Sequence, residues 1–275
     1  LPDDASISVL LSSLSSDGCS AETLRAYKSD LVGWSNWIVL HPISVPTQLD
    51  WPQVERLAGQ YLNSIRKTMA PSTVNRKLTT FRTWARVHGN DTFLSRYRPP
   101  KMARRQPHPL PEGMDGVRKM MLVADNPREQ ALLALCGMVG LRVREACSVT
   151  TECVDEDKHE LTLRGKGDVE RIVPISIEAW GWLLPAYQVA KNYGPTAVIV
   201  PIYHDYARRL ITALGVKANL SRSVSSHDLR ATFATDLVKK GVHPRVIQIL
   251  LGHASLESTM VYMGVDAQDM RVAVN

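Results

Sequence analysis

Residues 98–112, RPPKMARRQPHPLPE, contain five prolines, four basic residues and no apolar period. A stretch that lacks so many backbone donors and offers no apolar face to bury is expected to run extended. It divides the chain, so the expected organisation is residues 1–98, a linker over 99–112, and residues 113–275. A length of 275 residues leaves enough chain for a core on either side. The hydrophobic share, 44%, is ordinary for globular protein. No apolar run reaches the roughly 18 residues a membrane span needs, and no signal-peptide pattern opens the chain. The chain opens on Leu1 rather than Met, so a trimmed N-terminus is expected. Cys19, Cys136, Cys147 and Cys153 form no CxxC pair, which predicts free thiols in a reducing cytoplasm.

The formal net charge is +6, unevenly spread. Residues 1–50 carry a net −4, residues 51–112 set twelve Lys/Arg against three Asp/Glu, and the remainder is close to neutral. A basic block beside a near-neutral remainder is the footprint of a polyanion partner, with a solvated helix face as the structural alternative.

Before the linker the pattern is helical. Ser20 is placed to cap a helix on which Leu24, Tyr27, Leu31, Trp34 and Ile38 recur at helical spacing, ended by His41-Pro42. A second helix is predicted over Gln53–Lys67. A third starts at Ala70-Pro71-Ser72, with Val74, Leu78, Phe81 and Ala85 inward. That third helix is expected to turn Asn75, Arg76, Lys77, Arg82 and Arg86 towards solvent or phosphate. Arg66, Lys67, Arg76, Lys77, Arg82 and Arg86, with Lys101, Arg104 and Arg105 of the linker, are the predicted backbone-contacting cations.

Beyond the linker helices return, with Val117, Met120, Met121, Leu132, Leu133, Leu135 and Met138 as core. Val139-Gly140-Leu141-Arg142 interrupts them, which lets Arg142 point out of the core, with Glu145 placed to orient or neutralise it. Over 160–175, ELTLRGKGDVERIVPI, the period changes to alternation. This predicts a β-hairpin with Leu161, Leu163, Ile172, Val173 and Ile175 as its apolar residues, Lys166 at its tip and Pro174 at a strand end. A helix over Ile177–Lys191, a short strand AVIVPI and a helix over Tyr203–Leu214 follow. No repeat of 20–50 residues is present, which excludes a solenoid.

The chemistry concentrates between His227 and Tyr262. His227 and Arg230 lie one helical turn apart. Gly252-His253 ends the next helix, and Ser255 is placed to cap a short final helix carrying Tyr262. Two imidazoles, a guanidinium and a phenol suit a phosphodiester: arginine grips phosphate bidentately, histidine donates to its oxygens, and tyrosine is a nucleophile. A phosphohydrolase metal centre at His227-Asp228 lacks its further ligands, a Ser/His/Asp triad lacks its elbow motif, and GKG at 165–167 is not a Walker lysine motif.

The set Arg142, Lys166, His227-x-x-Arg230, Leu251-Gly252-His253 and Tyr262 resembles the tyrosine recombinase (phage integrase) family. GLRVREACSV, LRGKGDVERIVPI, SHDLRATFATDLVKKGV and ILLGHASLESTMVY match that family's boxes in order, over roughly residues 113–265. The resemblance implies a mainly α fold with a small β-hairpin or sheet: an all-helical N-terminal DNA-core-binding domain and an α+β catalytic domain. It implies a site-specific recombinase or integrase of a phage, mobile element or chromosomal system, in which Tyr262 attacks the scissile phosphate to form a 3′-phosphotyrosyl link. Arg142 and Arg230 would hold the phosphate, Lys166 would protonate the departing 5′ oxygen, and His227 and His253 would assist. No metal or other cofactor is implied. The implied partners are double-stranded DNA carrying specific sites, three further copies in a homotetramer on two duplexes, and accessory DNA-bending proteins, with no membrane. The sequence departs from the family pattern at Ala231 and at Met263-Gly264, and only 13 residues follow Tyr262. A relaxing topoisomerase with the same phosphotyrosine chemistry and a non-catalytic DNA-binding regulator are the alternatives.

Overall fold

The computed structural model describes residues 2–41, 50–101, 108–164 and 170–252. The chain forms two compact units that divide between Arg104 and Arg105. The architecture is mainly helical with one small antiparallel sheet, as the sequence predicts.

The first unit holds α1 (Asp4–Ser16), α2 (Ala21–Leu40), α3 (Trp51–Ile65) and α4 (Pro71–Val87). Ser20 caps α2 by accepting from the Thr23 amide at 3.2 Å, as its sequence position predicts. Helix α1 had no strong apolar signal. It is set by a capping box in which Asp3 and Ser6 satisfy each other's amides, and it buries only Ile7 and Leu10 fully. Trp34 sits at the centre of the core, 4.6 Å from Phe81 and edge-on to Trp84 at 5.7 Å between ring centroids.

One prediction on α4 is corrected. Lys77 does not face solvent; it is 6% exposed, and its ammonium lies 3.0 Å from Oδ1 of the buried Asp30 on α2. Asp30 also receives the Thr80 hydroxyl at 3.0 Å and an ion pair from Arg76. A buried carboxylate must be matched by cations and donors, and α4 supplies them at one-turn spacing. Arg82 donates to the Leu94 carbonyl at 2.7 Å, and Arg86 pairs with Asp91.

The second unit is built round α6 (Pro127–Gly137), whose residues Ala131–Gly137 are all buried. A helix apolar on every side belongs at a centre, and α5 (Gly113–Leu122), α8 (Ile177–Lys191) and α10 (Ser226–Lys239) surround it. Between them lie the one-turn α7 (Val143–Ala146), a sheet of β1 (Val154–Asp155), β2 (Glu160–Arg164) and β3 (Glu170–Pro174), and α9 (His204–Lys217). Helix α11 (Pro244–Leu251) follows α10. The strand order is β1-β2-β3, with Leu161 opposite Val173 and Leu163 opposite Arg171.

Pro174 ends the edge strand β3, as predicted, but Ile172 faces out at 57% exposed. The inward series is Arg171, Val173 and Ile175, as strict alternation requires. The stretch AVIVPI makes a single bridge, Thr150 to Val198, among the described residues. Residues 108–112, read from composition as linker, are held on the second unit. Leu110 is buried and its amide donates to Thr232 Oγ1 on α10 at 2.8 Å, while Arg222 donates to the His108 carbonyl at 2.6 Å.

Removing Asp30 strands a buried ammonium. Asp30→Ala is expected to cost about 3–5 kcal/mol, whereas the double change Asp30→Leu with Lys77→Met recovers most of it. Urea unfolding of the full chain followed by tryptophan fluorescence checks this, because Trp34 and Trp84 lie in the same core.

Candidate active site

Glu145 organises this site. It lies at the end of the first turn of α7, where its carboxylate accepts from the Arg142 amide at 2.8 Å and so closes the turn that Arg142 begins. The same carboxylate receives Arg142 Nη1 at 3.0 Å and Arg171 Nη2 at 3.0 Å. Arg230 Nη1 stands 3.9 Å from it. Three guanidiniums from α7, β3 and α10 thus surround one acid. Burial pushes the Glu145 carboxyl up, but hydrogen bonds from Arg142 and Arg171 and the charges of both outweigh this and hold it below its ordinary value.

Each arginine is also tied to backbone. Arg230, 6% exposed, donates to the Gly140 carbonyl at 2.7 Å and to the Leu251 carbonyl. Arg142, with nearly half its side chain exposed, donates to the Gly252 carbonyl at 3.0 Å. Leu251 and Gly252 are the last residue and the C-cap of α11, where helix carbonyls lack internal partners and carry partial negative charge. Both arginines grip that end, one residue before His253.

Two glycines permit these approaches. Gly140 has φ +76° and a Cβ there would lie 2.4 Å from the Phe233 ring, so only glycine lets this turn reach α10 and offer its carbonyl to Arg230. Gly252 adopts the left-handed conformation, φ +61°, and a Cβ would lie 2.6 Å from Arg171 Nη1.

His227 is exposed in the first turn of α10, whose N-terminus is closed by a capping box between Ser225 and Asp228. Among the predicted catalytic residues, Arg142 and Arg230 come together through Glu145, and His227 lies one turn before Arg230. Lys166, His253, Tyr262 and the expected Ser255 cap lie outside the described residues, as do Arg104 and Arg105. Arg66, Lys67, Arg86 and Lys101 are exposed on the first unit. Arg171 was missed by sequence reasoning, although a signal existed: it shares strand parity with Val173 and Ile175, so it stands on the buried face.

Residues 114–269 match the phage integrase family. The chain belongs to that family, the tyrosine recombinases. Curated relatives include tyrosine recombinase XerA of Pyrococcus horikoshii, 31% identical over 80% of this chain and 79% of the relative. Tyrosine recombinase XerC of Corynebacterium glutamicum is 30% identical over 94% of this chain and 86% of its own. Among solved structures, a lambda integrase dimer bound to a COC′ core site matches with a TM-score of 0.73 at 17% identity, covering 98% of this chain and 97% of that one. A XerH site-specific recombinase bound to difH substrate matches with a TM-score of 0.70 at 17% identity, over 92% and 79%. At that identity the structural matches speak for the shared tyrosine recombinase fold.

The Glu145 arrangement has a pH signature. Its depressed value means its contribution to stability is present above the ordinary 4.5 and lost as pH falls through the folded-state value. Wild type is therefore expected to melt above Glu145→Gln by a margin that is largest near neutrality and narrows as pH drops below 4.5. Thermal melts of the two proteins across that range check it.

Proposed function

We propose that this protein cleaves and rejoins DNA at specific sites through a 3′-phosphotyrosyl intermediate, without metal or ATP. The observation that carries the reading is the gathering of Arg142 and Arg230 on one carboxylate and on adjacent carbonyls immediately before His253. Two guanidiniums held rigidly beside each other suit the non-bridging oxygens of one phosphate and the charge that builds on them in the transition state. The Tyr262 oxygen attacks phosphorus and the bond to the 5′ oxygen breaks. Lys166 gives that oxygen its proton, and the phenol's proton leaves with the help of His227. His253 donates to the phosphate. The phosphotyrosyl bond keeps the energy of the broken diester, so a 5′-hydroxyl from a partner strand reverses the step and completes the exchange.

The second unit is the catalytic domain in this reading, and the first is a DNA-core-binding domain. The relatives' DNA-bound structures support double-stranded recombination sites as substrate. We place the enzyme in the cytoplasm of a bacterial cell or a phage-infected host, acting as a homotetramer on two duplexes with accessory DNA-bending proteins. The process it serves is site-specific recombination for a phage, another mobile element or a bacterial chromosome.

A nicked suicide duplex carrying the target site traps the intermediate. Wild type is expected to give a protein–DNA adduct that survives denaturation, and Tyr262→Phe none. An adduct from the Phe variant sinks the assignment of the nucleophile, and relaxation of any supercoiled plasmid without synapsis points to a topoisomerase. On the first unit, reversing Arg66 and Lys67 together is expected to lower the salt slope of DNA binding by about two, whereas a neutral change at the buried Lys77 leaves the slope unaltered. Titrations at several salt concentrations read this.

A further inference from the structure

We infer that Arg171 is a positioning residue for DNA cleavage, one that sets the separation between Glu145 and Arg230. The inference rests on the recombinase reading above. Arg171 lies on the inward face of β3 with its side chain only 10% exposed. Its Nη2 bonds Glu145 Oε2 at 3.0 Å, the same oxygen that takes the Arg142 amide and stands 3.9 Å from Arg230 Nη1. Two donors already bond that oxygen, and Arg230 is held just beyond hydrogen-bond reach.

A second contact points the same way. The Arg171 guanidinium packs on Gly252 so closely that no Cβ fits between them. The side chain therefore braces both the acid and the α11 terminus that Arg142 and Arg230 hold. Its Nε is buried with no hydrogen-bond partner among the described residues. An unpaired buried donor costs about 1–3 kcal/mol, a cost an apolar side chain would avoid. What the guanidinium adds is charge beside Glu145. Without it, one position on Oε2 opens and the acid loses one of its countercharges, so Arg230 closes the remaining gap. Its charge is then satisfied by Glu145 rather than by the scissile phosphate.

The test compares wild type, Arg171→Gln and Arg171→Lys. The probe is the nicked duplex that wild type captures covalently from a randomised pool. A second form of that duplex carries a methylphosphonate at the scissile position, where a neutral methyl replaces one non-bridging oxygen and leaves less charge to offset. On the ordinary duplex Arg171→Gln is expected to cleave about 100-fold more slowly with unchanged Kd for the DNA. Arg171→Lys, which keeps the charge, recovers about tenfold of that loss. On the methylphosphonate the Gln defect is expected to shrink at least about tenfold. Cleavage by Arg171→Gln at the wild-type rate overturns the inference. So does an equal loss on both substrates with a lowered melting temperature, the result of a purely structural role. If Arg171→Gln does not fold, Arg171→Lys carries the same comparison between substrates. A pool from which wild type captures nothing defeats the recombinase reading and this inference together. Capture by wild type with no substrate-dependent defect at Arg171 defeats this inference alone.

Discussion

A carboxylate taken out of water must be met by cations, and at Glu145 that requirement joins α7, β3 and α10. None of the three guanidiniums would adopt its place for packing alone. Arg230 is buried because its donors find the Gly140 and Leu251 carbonyls and because an acid stands nearby to offset its charge. Glu145 stays ionised because the arginines make the charged form the cheaper one. The cluster is thus mutually dependent, and its members are expected to show non-additive effects when changed together. Such a cluster is poor as a source of net stability and good as a device for fixing distances.

The first unit uses the same physics for another end. Asp30 collects Lys77, Arg76 and Thr80 from α4 and so fixes the register of α4 against α2. Here the three partners, Arg76, Lys77 and Thr80, all lie on α4. The buried Asp30 and the partly buried Glu145, each with two or more cations, therefore do different work: one locks a pair of helices, the other gathers arginines from three elements.

Long periodic helices were legible because apolar spacing and caps act locally: Ser20 before α2 and Pro71 at the start of α4 are cases. The functional types were legible because phosphate chemistry admits few side chains, and Arg142, His227 and Arg230 stood in an ordered pattern. What could not be read was which cations face inward. Lys77 and Arg76 are alike in composition and adjacent in sequence, yet Asp30, about two helices away in the chain, decides that Lys77 is interior. For Arg171 strand parity with Val173 and Ile175 marks the inward face, but its partners Glu145 and Gly252 leave no local trace. Long-range electrostatic pairing leaves little trace in a local period. Helix α1 leaves little trace in the sequence for the opposite reason: its boundary is set by side-chain capping with only a thin apolar stripe behind it.

The bond from the Leu110 amide to Thr232 joins the incoming chain to α10 two residues past Arg230. Leu110 is itself buried, and Arg222 and Glu112 fasten the residues on either side. The described attachments to the second unit therefore begin at His108, just ahead of α5. The chain from residue 108 onward is thus fastened to the same helix that carries the buried Arg230.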